Sequence, residues 1–297
     1  MTLHSAPPGF ARLDIAAGFA AGFAADFGPI YARREGERVW YGFRVEEKHL
    51  NPRRIAHGGA LATFADMQLA ALMRAGALEP KQAPTISLSL DFLKPVGPGD
   101  WVQGEVDLVK RSGRIAFSQT VLTVDAAPVV RVSAKFAYSD KGASLDASRP
   151  APPPLAFTET PPPDGFERLD PGSGFGALFG PMFWRPGSTR FGFRVAPRHI
   201  NLFGLCHGGA LAMFADYQLG PLRRAGLAQG PFAPTLSLSL DFLEPARLGE
   251  WIEAEATLLR ATSRYLFTQA VLTNASGAVA RSNAIYAISS SESSAKA

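Results

Sequence analysis

The sequence is short of the residues from which several kinds of function are built. It has one cysteine, Cys206, and five histidines in 297 residues. An internal disulfide is therefore excluded, and no Cys/His set shows the spacing of a metal site. The lone thiol fits a reducing compartment. Charge of one sign never accumulates either: 30 Lys+Arg against 26 Asp+Glu leave a net charge of +4. That is too little and too dispersed for a dedicated nucleic-acid surface, although it leaves room for a local anion pocket. No uncharged apolar run approaches the ~20 residues that span a bilayer. Residues 1–30 lack the basic start of a signal peptide and carry Asp14 and Asp26. The expectation is a cytoplasmic protein that binds neither membrane nor nucleic acid.

What is present is a duplication. At 46% apolar and 19% charged residues, the composition is that of a soluble globular protein, and the length supports two cores. Gly42-Phe43-Arg44-Val45 returns as Gly192-Phe193-Arg194-Val195, Trp101 as Trp251 and Gln119 as Gln269, at a constant offset of 150. A period of that size is a repeated domain, not a solenoid. The expected organisation is a first domain at 1–140, a Pro-rich linker at 141–163, a second domain at 164–289 and a disordered Ser-rich tail at 290–297. Cys206 is matched by Ala56 in the first copy, so it reads as a small buried side chain and not as a nucleophile.

The two copies agree most closely in NPRRIAHGGALATFADMQLAALMRAG, from Asn51 to Gly76, and NLFGLCHGGALAMFADYQLGPLRRAG, from Asn201 to Gly226. From Gly59 to about Arg74 the apolar residues cover every side of a helical wheel, the pattern of a fully buried helix, with Asp66 in its middle. A buried carboxylate without partners costs several kcal/mol, so its presence calls for a use. His57-Gly58-Gly59 opens the same helix, where unpaired N–H groups and the helix dipole favour negative charge and glycine permits close approach. Gly58 and Asp66 are eight residues apart, roughly 12 Å along the axis, too far to share a site. A two-fold axis that set the two helices antiparallel would bring the start of one beside the Asp of the other, twice.

Around the helix, alternating runs at Pro84–Leu93, Trp101–Lys110, Ile115–Val124 and Val129–Tyr138 read as strands of an antiparallel meander, preceded by a strand near Arg38–Val45. Each copy starts with a Gly/Phe-rich segment read as a short helix and a Gly-Pro turn. In Thr85–Leu93, Ile86, Leu88, Leu90 and Phe92 are expected to face the helix, with Ser87, Ser89 and Asp91 facing away. The expected fold class is α+β, each copy a curved antiparallel sheet wrapped around a long central helix.

These residues resemble the hotdog fold and, more narrowly, the phenylacetate-pathway (PaaI-like) acyl-CoA thioesterases. The resemblance rests on Asn, then His-Gly-Gly six residues on, then Asp nine residues past the His, followed by a strand that starts with Thr and ends near Pro: Thr85 to Pro95 and Thr235 to Pro245. It covers nearly all of each copy outside the linker and implies a tandem (double) hotdog, with two copies joined edge to edge and two sites between them. One site would take Asn51, His57 and Gly58 with Asp216 and Thr235; the other Asn201, His207 and Gly208 with Asp66 and Thr85. The implied reaction is hydrolysis of acyl-CoA to free acid and thiol. A glycine N–H would hold the oxyanion, Asp would act as nucleophile or general base, His would be oriented by Asn, and Thr would position Asp or water. Strict alternation turns Thr85 away from the helix, so that role requires a bulge or a twist at the strand start, just after Pro84.

The resemblance implies no cofactor; coenzyme A enters as part of the substrate, and Lys110, Arg114, Arg260 and Arg264, on two basic hairpins, are candidates for its phosphates. Asn51 and Asn201 read equally as loop-closing Asx turns, and His49 and His199 as structural residues. Gln68 and Gln218 are expected to satisfy buried backbone groups. Phe27, Tyr31, Phe179, Phe183 and Trp184 are candidates for an acyl pocket. A homodimer of the tandem chain, paired through polar outer sheet faces, is expected as an option. The competing functions are a non-catalytic binder of acyl thioesters or lipid-like ligands, and a hotdog enoyl-CoA hydratase or dehydratase.

Overall fold

The computed structural model describes residues 6–13, 22–74, 84–137, 157–170, 172–201, 203–228 and 233–288. The tail and residues 141–156 of the linker lie outside the described residues. The first copy runs β1 (Ala11–Arg12), α1 (Phe23–Phe27), β2 (Tyr31–Glu35), β3 (Arg38–Arg44), α2 (Gly58–Asp66), α3 (Gln68–Arg74), β4 (Thr85–Phe92), β5 (Trp101–Glu105), β6 (Asp107–Ser112), β7 (Ile115–Val124) and β8 (Ala127–Ala137). The second runs β9 (Glu167–Leu169), α4 (Phe175–Phe179), β10 (Met182–Trp184), β11 (Arg190–Arg194), α5 (Gly208–Asp216), α6 (Leu219–Arg224), β12 (Thr235–Phe242), β13 (Trp251–Ala261), β14 (Tyr265–Asn274) and β15 (Gly277–Ala287).

All described pairings are antiparallel, and the strands form one sheet across both copies, in the order β1-β2-β3-β5-β7-β8-β4-β12-β15-β14-β13-β11-β10-β9 with β6 beside β7. The seam is β4 against β12, where Leu90 pairs with Leu238, Ser89 with Ser239 and Leu88 with Leu240. Leu88, Leu90, Leu238 and Leu240 are buried on the helix side. Asp91 and Asp241 face outward to Arg131 and Arg281, as period-two alternation requires. This is the tandem hotdog.

Helices α2 and α5 lie between the halves. Phe64 of α2 stacks on Tyr41 with ring centroids 4.3 Å apart, and Phe214 of α5 packs on Phe191 at 4.5 Å. The helices meet through glycine: a Cβ on Gly59 would lie 2.9 Å from Met213 Cα, and one on Gly209 2.8 Å from Thr63 Cα. Thr63 uses this proximity, donating to Gly59 O at 2.7 Å and to Gly209 O at 3.2 Å.

Two expectations need correction. The central helix does not run unbroken to Arg74; it is capped at Met67, whose N–H turns back to Phe64 O, and α3 is a separate piece. Asp66 and Asp216 are thus the last residues of their helices, not the middle ones. The strand expected near Arg38–Val45 is one arm of a hairpin; its other arm, β2, Tyr-Ala-Arg-Arg-Glu, lacks apolar alternation.

The short helices cross between copies. The Phe23 N–H donates to Ile200 O at 3.2 Å, and the Phe175 N–H to Leu50 O at 2.9 Å. Gly22 and Gly174 make the approach possible: both have positive φ, and a Cβ on either would sit 2.1 Å from the facing carbonyl oxygen. Gly174→Ala is therefore expected to cost more than about 2 kcal/mol. Chemical denaturation measures it, and a loss below 0.5 kcal/mol would contradict the crossing contact.

Candidate active site

Each α2-type helix begins at a histidine cap. His57 is extended, and its Nδ1 accepts the Gly59 N–H at 2.9 Å; His207 does the same for Gly209. The carbonyl of His57 takes the N–H groups of Ala60 and Leu61. Among the described residues the Gly58 N–H has no acceptor, so one donor of the first turn is left for a ligand.

The Cα side of that glycine lies against the acid of the other copy. A Cβ on Gly58 would lie 2.7 Å from Asp216 Oδ2, and one on Gly208 2.6 Å from Asp66 Oδ2. No side chain fits there, so these glycines are required by space. The Asp216 side chain is 6% exposed, as is that of Asp66. Thr235 Oγ1 donates to Asp216 Oδ1 at 2.8 Å, and Thr85 Oγ1 to Asp66 Oδ1 at 2.8 Å. The register of β4 slips between Thr85 and Ser87, and that of β12 between Thr235 and Ser237. This bulge turns each threonine to its acid.

His57 Nδ1 lies 3.5 Å from Asp216 Oδ2, and His207 Nδ1 3.5 Å from Asp66 Oδ2. Neither contact is an ion pair, because Nδ1 already accepts a backbone N–H and so carries no proton. Burial lowers the proton affinity of both rings, against the pull of the facing carboxylate, which keeps them neutral with the proton on Nε2.

The asparagines do not orient these rings. Asn51 Oδ1 accepts from Arg53 N at 2.9 Å and Ile55 N at 3.5 Å, and Asn201 Oδ1 from Phe203 N at 2.9 Å and Leu205 N at 3.2 Å. They close the loops that lead into the helices, which is the Asx-turn alternative. Leu50, Asn51 and Pro52 of that loop, with Gly174, Ala177 and Leu178 of the second copy, border a cleft of about 770 Å³. Lys110, Arg114, Arg260 and Arg264 are exposed at hairpin ends and do not line it. Thr85, Phe136, Ala116 and Arg111 stand in one row across β4, β8, β7 and β6. Three strand spacings put the first hairpin roughly 14 Å from Thr85.

The proposed acyl-pocket aromatics lie elsewhere. Phe27 and Phe179 are buried core, each 4.6 Å from a histidine ring, His49 and His199. Tyr31 and Phe183 pack on Trp101 and Trp251, and Trp184 lies under Arg224. Cys206 is buried, with its thiol pushed far up by burial. Gln218 donates to Ala215 O and Ser282 Oγ and accepts from Thr268, whereas Gln68 is described only as accepting from Thr120.

The thioesterase superfamily model matches residues 54–124 and 203–280, together half of the chain and once in each copy. The chain belongs to the thioesterase superfamily. A candidate esterase of Pseudomonas aeruginosa is 34% identical over 96 residues, which span 32% of this chain and 72% of that protein. Human acyl-coenzyme A thioesterase 13 is 28% identical over 89 residues, 30% of this chain and 63% of that one, so the match spans less than two thirds of the human protein. Two solved structures share the fold across both copies. A candidate thioesterase from Novosphingobium aromaticivorans has a TM-score of 0.62 at 20% identity, covering 87% of this chain and 98% of its own. A hotdog protein from Alicyclobacillus acidocaldarius has a TM-score of 0.62 at 16% identity, covering 94% and 98%. Among the described residues no helix is long and apolar enough to cross a membrane.

Three features of this thioesterase's site were not among the expected ones. Phe175 lies 5.9 Å from the His57 ring and Phe23 5.9 Å from that of His207, so each short helix covers the histidine of the opposite copy. The signal was a repeat of Gly-Phe that is displaced by 152 instead of 150. Tyr286 donates to Asp216 O at 3.0 Å; its counterpart Phe136 gave no hint of it.

His49 and His199 are structural, as expected, and they set an acid limit. In His49, Nε2 donates to Phe27 O and Nδ1 accepts from Glu46 N; in His199 the partners are Phe179 O and Ala196 N. Burial lowers both to about 4 from the ordinary 6.5. Between those values the unfolded chain binds more protons, so stability is full above about pH 6.5 and is lost as pH falls toward 4, on the order of 3 kcal/mol per ring. Thermal melts across this range should show the fall, and His199→Gln should lessen it by about half. A slope that the substitution leaves intact would remove the rings as its source.

Proposed function

We propose that this thioesterase hydrolyses acyl-CoA at two sites between its copies, one built on Gly58 and Asp216, the other on Gly208 and Asp66. The observation that carries the reading is the close approach of the glycine at the start of one helix, whose N–H has no acceptor among the described residues, to the nearly buried carboxylate of the other. A thioester whose carbonyl oxygen takes the Gly58 N–H presents its carbon to Asp216 Oδ2. The helix dipole and the N–H stabilise the oxyanion in a water-poor site, a contribution of roughly 3–4 kcal/mol in comparable enzymes.

Thr235 holds Oδ1, which leaves Oδ2 as the reacting oxygen. It either attacks the carbonyl carbon and expels the CoA thiolate, leaving an anhydride for water to cleave, or removes a proton from the water that attacks. His57 acts through the backbone: by taking the Gly59 N–H it fixes the first turn, so that the Gly58 N–H is the one that remains. Asn51 holds the loop in place. We assign the phosphates of coenzyme A to the basic hairpins, Lys110 and Arg114 for the Asp66 site and Arg260 and Arg264 for the Asp216 site. The human relative's name as an acyl-coenzyme A thioesterase supports the choice of thiol.

Thiol release from a panel of acyl-CoA and aryl-CoA esters tests this. Asp66→Asn with Asp216→Asn is expected to lower the rate at least roughly 10³-fold, and each single variant should keep the turnover of the other site. Hydrolysis that persists in the double variant would remove the carboxylates from the reaction, and tight binding without turnover in the unaltered chain would mark a binding protein instead.

A further inference from the structure

The two sites share their Gly-Asp-Thr core but not their surroundings. Tyr286 donates to the Asp216 carbonyl, Arg223 lies by Tyr286, and Arg53 of the other copy acts on Arg223; the counterparts of Arg53, Arg223 and Tyr286 in the repeat are Phe203, Met73 and Phe136. Two cations and a hydroxyl in one set are thus replaced in the sequence by three apolar residue types in the other.

Arg223, on α6, is the informative residue. Its Nε and Nη2 are shut off from solvent and have no hydrogen-bond partner among the described residues. An arginine kept for stability would be expected to meet a carboxylate there. The groups that act on it instead are Tyr286, whose hydroxyl donates to the Asp216 carbonyl, and the guanidinium of Arg53. Burial and that second cation both lower its proton affinity. Arg53 belongs to the site loop of the other copy, where its N–H is bound by Asn51. Two guanidinium groups from opposite copies, one with buried unfilled donors, match the oxygens of a phosphate or carboxylate.

We propose that Arg223 and Arg53 form an anion-recognition subsite at the Asp216 site only, taking a phosphate or carboxylate group of the thioester, while the Asp66 site lacks it. This rests on the two-site reading above. The subsite would make the Asp216 site the one that selects a charged substrate feature.

The test is made in the full chain carrying Asp66→Asn, so that turnover comes from the Asp216 site. Arg223→Met installs the residue of the other copy. KM and kcat are measured with butyryl-CoA, glutaryl-CoA and butyryl-pantetheine. KM is expected to rise at least tenfold with kcat little changed: for both CoA esters and not the pantetheine ester if the group is a phosphate, for glutaryl-CoA alone if it is a carboxylate. Arg223→Lys should recover part of the loss, and the melting temperature of Arg223→Met should not fall, since Nε and Nη2 have no protein partner among the described residues. Unchanged KM for all three esters overturns the subsite. Should the chain hydrolyse none of them, the two-site reading fails separately, and calorimetry still decides this one. Binding of adenosine 3′,5′-bisphosphate or glutarate weakened at least tenfold by Arg223→Met supports the subsite; binding that is absent or unaltered overturns it.

Discussion

A carboxylate held out of water must be compensated, and here the compensation comes from the other half of the molecule. Among the described residues Asp216 has one side-chain hydrogen bond, from Thr235, and it faces the opening turn of α2. Asp66 is placed in the same way against α5. Helix dipoles and first-turn N–H groups favour negative charge at these ends. The rest of the fold keeps those two encounters in register: the β4–β12 seam sets the halves side by side, and Gly59 and Gly209 let the helices approach until acid and helix start meet.

The same dependence extends to the coverings. Phe175 lies on His57 and Phe23 on His207, held by backbone bonds to Leu50 and Ile200 of the opposite copies. Each of these histidines is covered by the copy that does not contain it. Substitution at the glycines of the crossing would therefore disturb the surroundings of a histidine in the other copy.

Much of this was legible because the chain states it twice. The spacing from Gly58 to Asp66 excluded a shared site within one copy, and the repeat supplied the partner helix. The alternation of Ser and Leu after Thr85 even showed where a bulge was needed, and β4 has it. Where the repeat slips or is broken by substitution, pattern reading loses its hold. The covering helices are offset by 152, and the helix break at Met67 interrupts a run whose apolar pattern continues across it. Asn51 carried two readings that spacing cannot separate, since a loop-closing turn and a ring-orienting bond use the same oxygen.

Divergence between the copies was the least legible feature, and it follows from the fusion itself. In a dimer of identical chains, a residue placed beside one site is placed beside both. A single chain with two copies removes that constraint: Arg223 can stand where its counterpart is Met73, and Tyr286 where its counterpart is Phe136, without altering the other site. Guanidinium donors that are shut off from solvent and unfilled carry a desolvation cost, which an identical pair would incur twice. Confining the arginine to one copy halves that cost, so the duplicated chain can hold one repeated motif in two electrostatic settings.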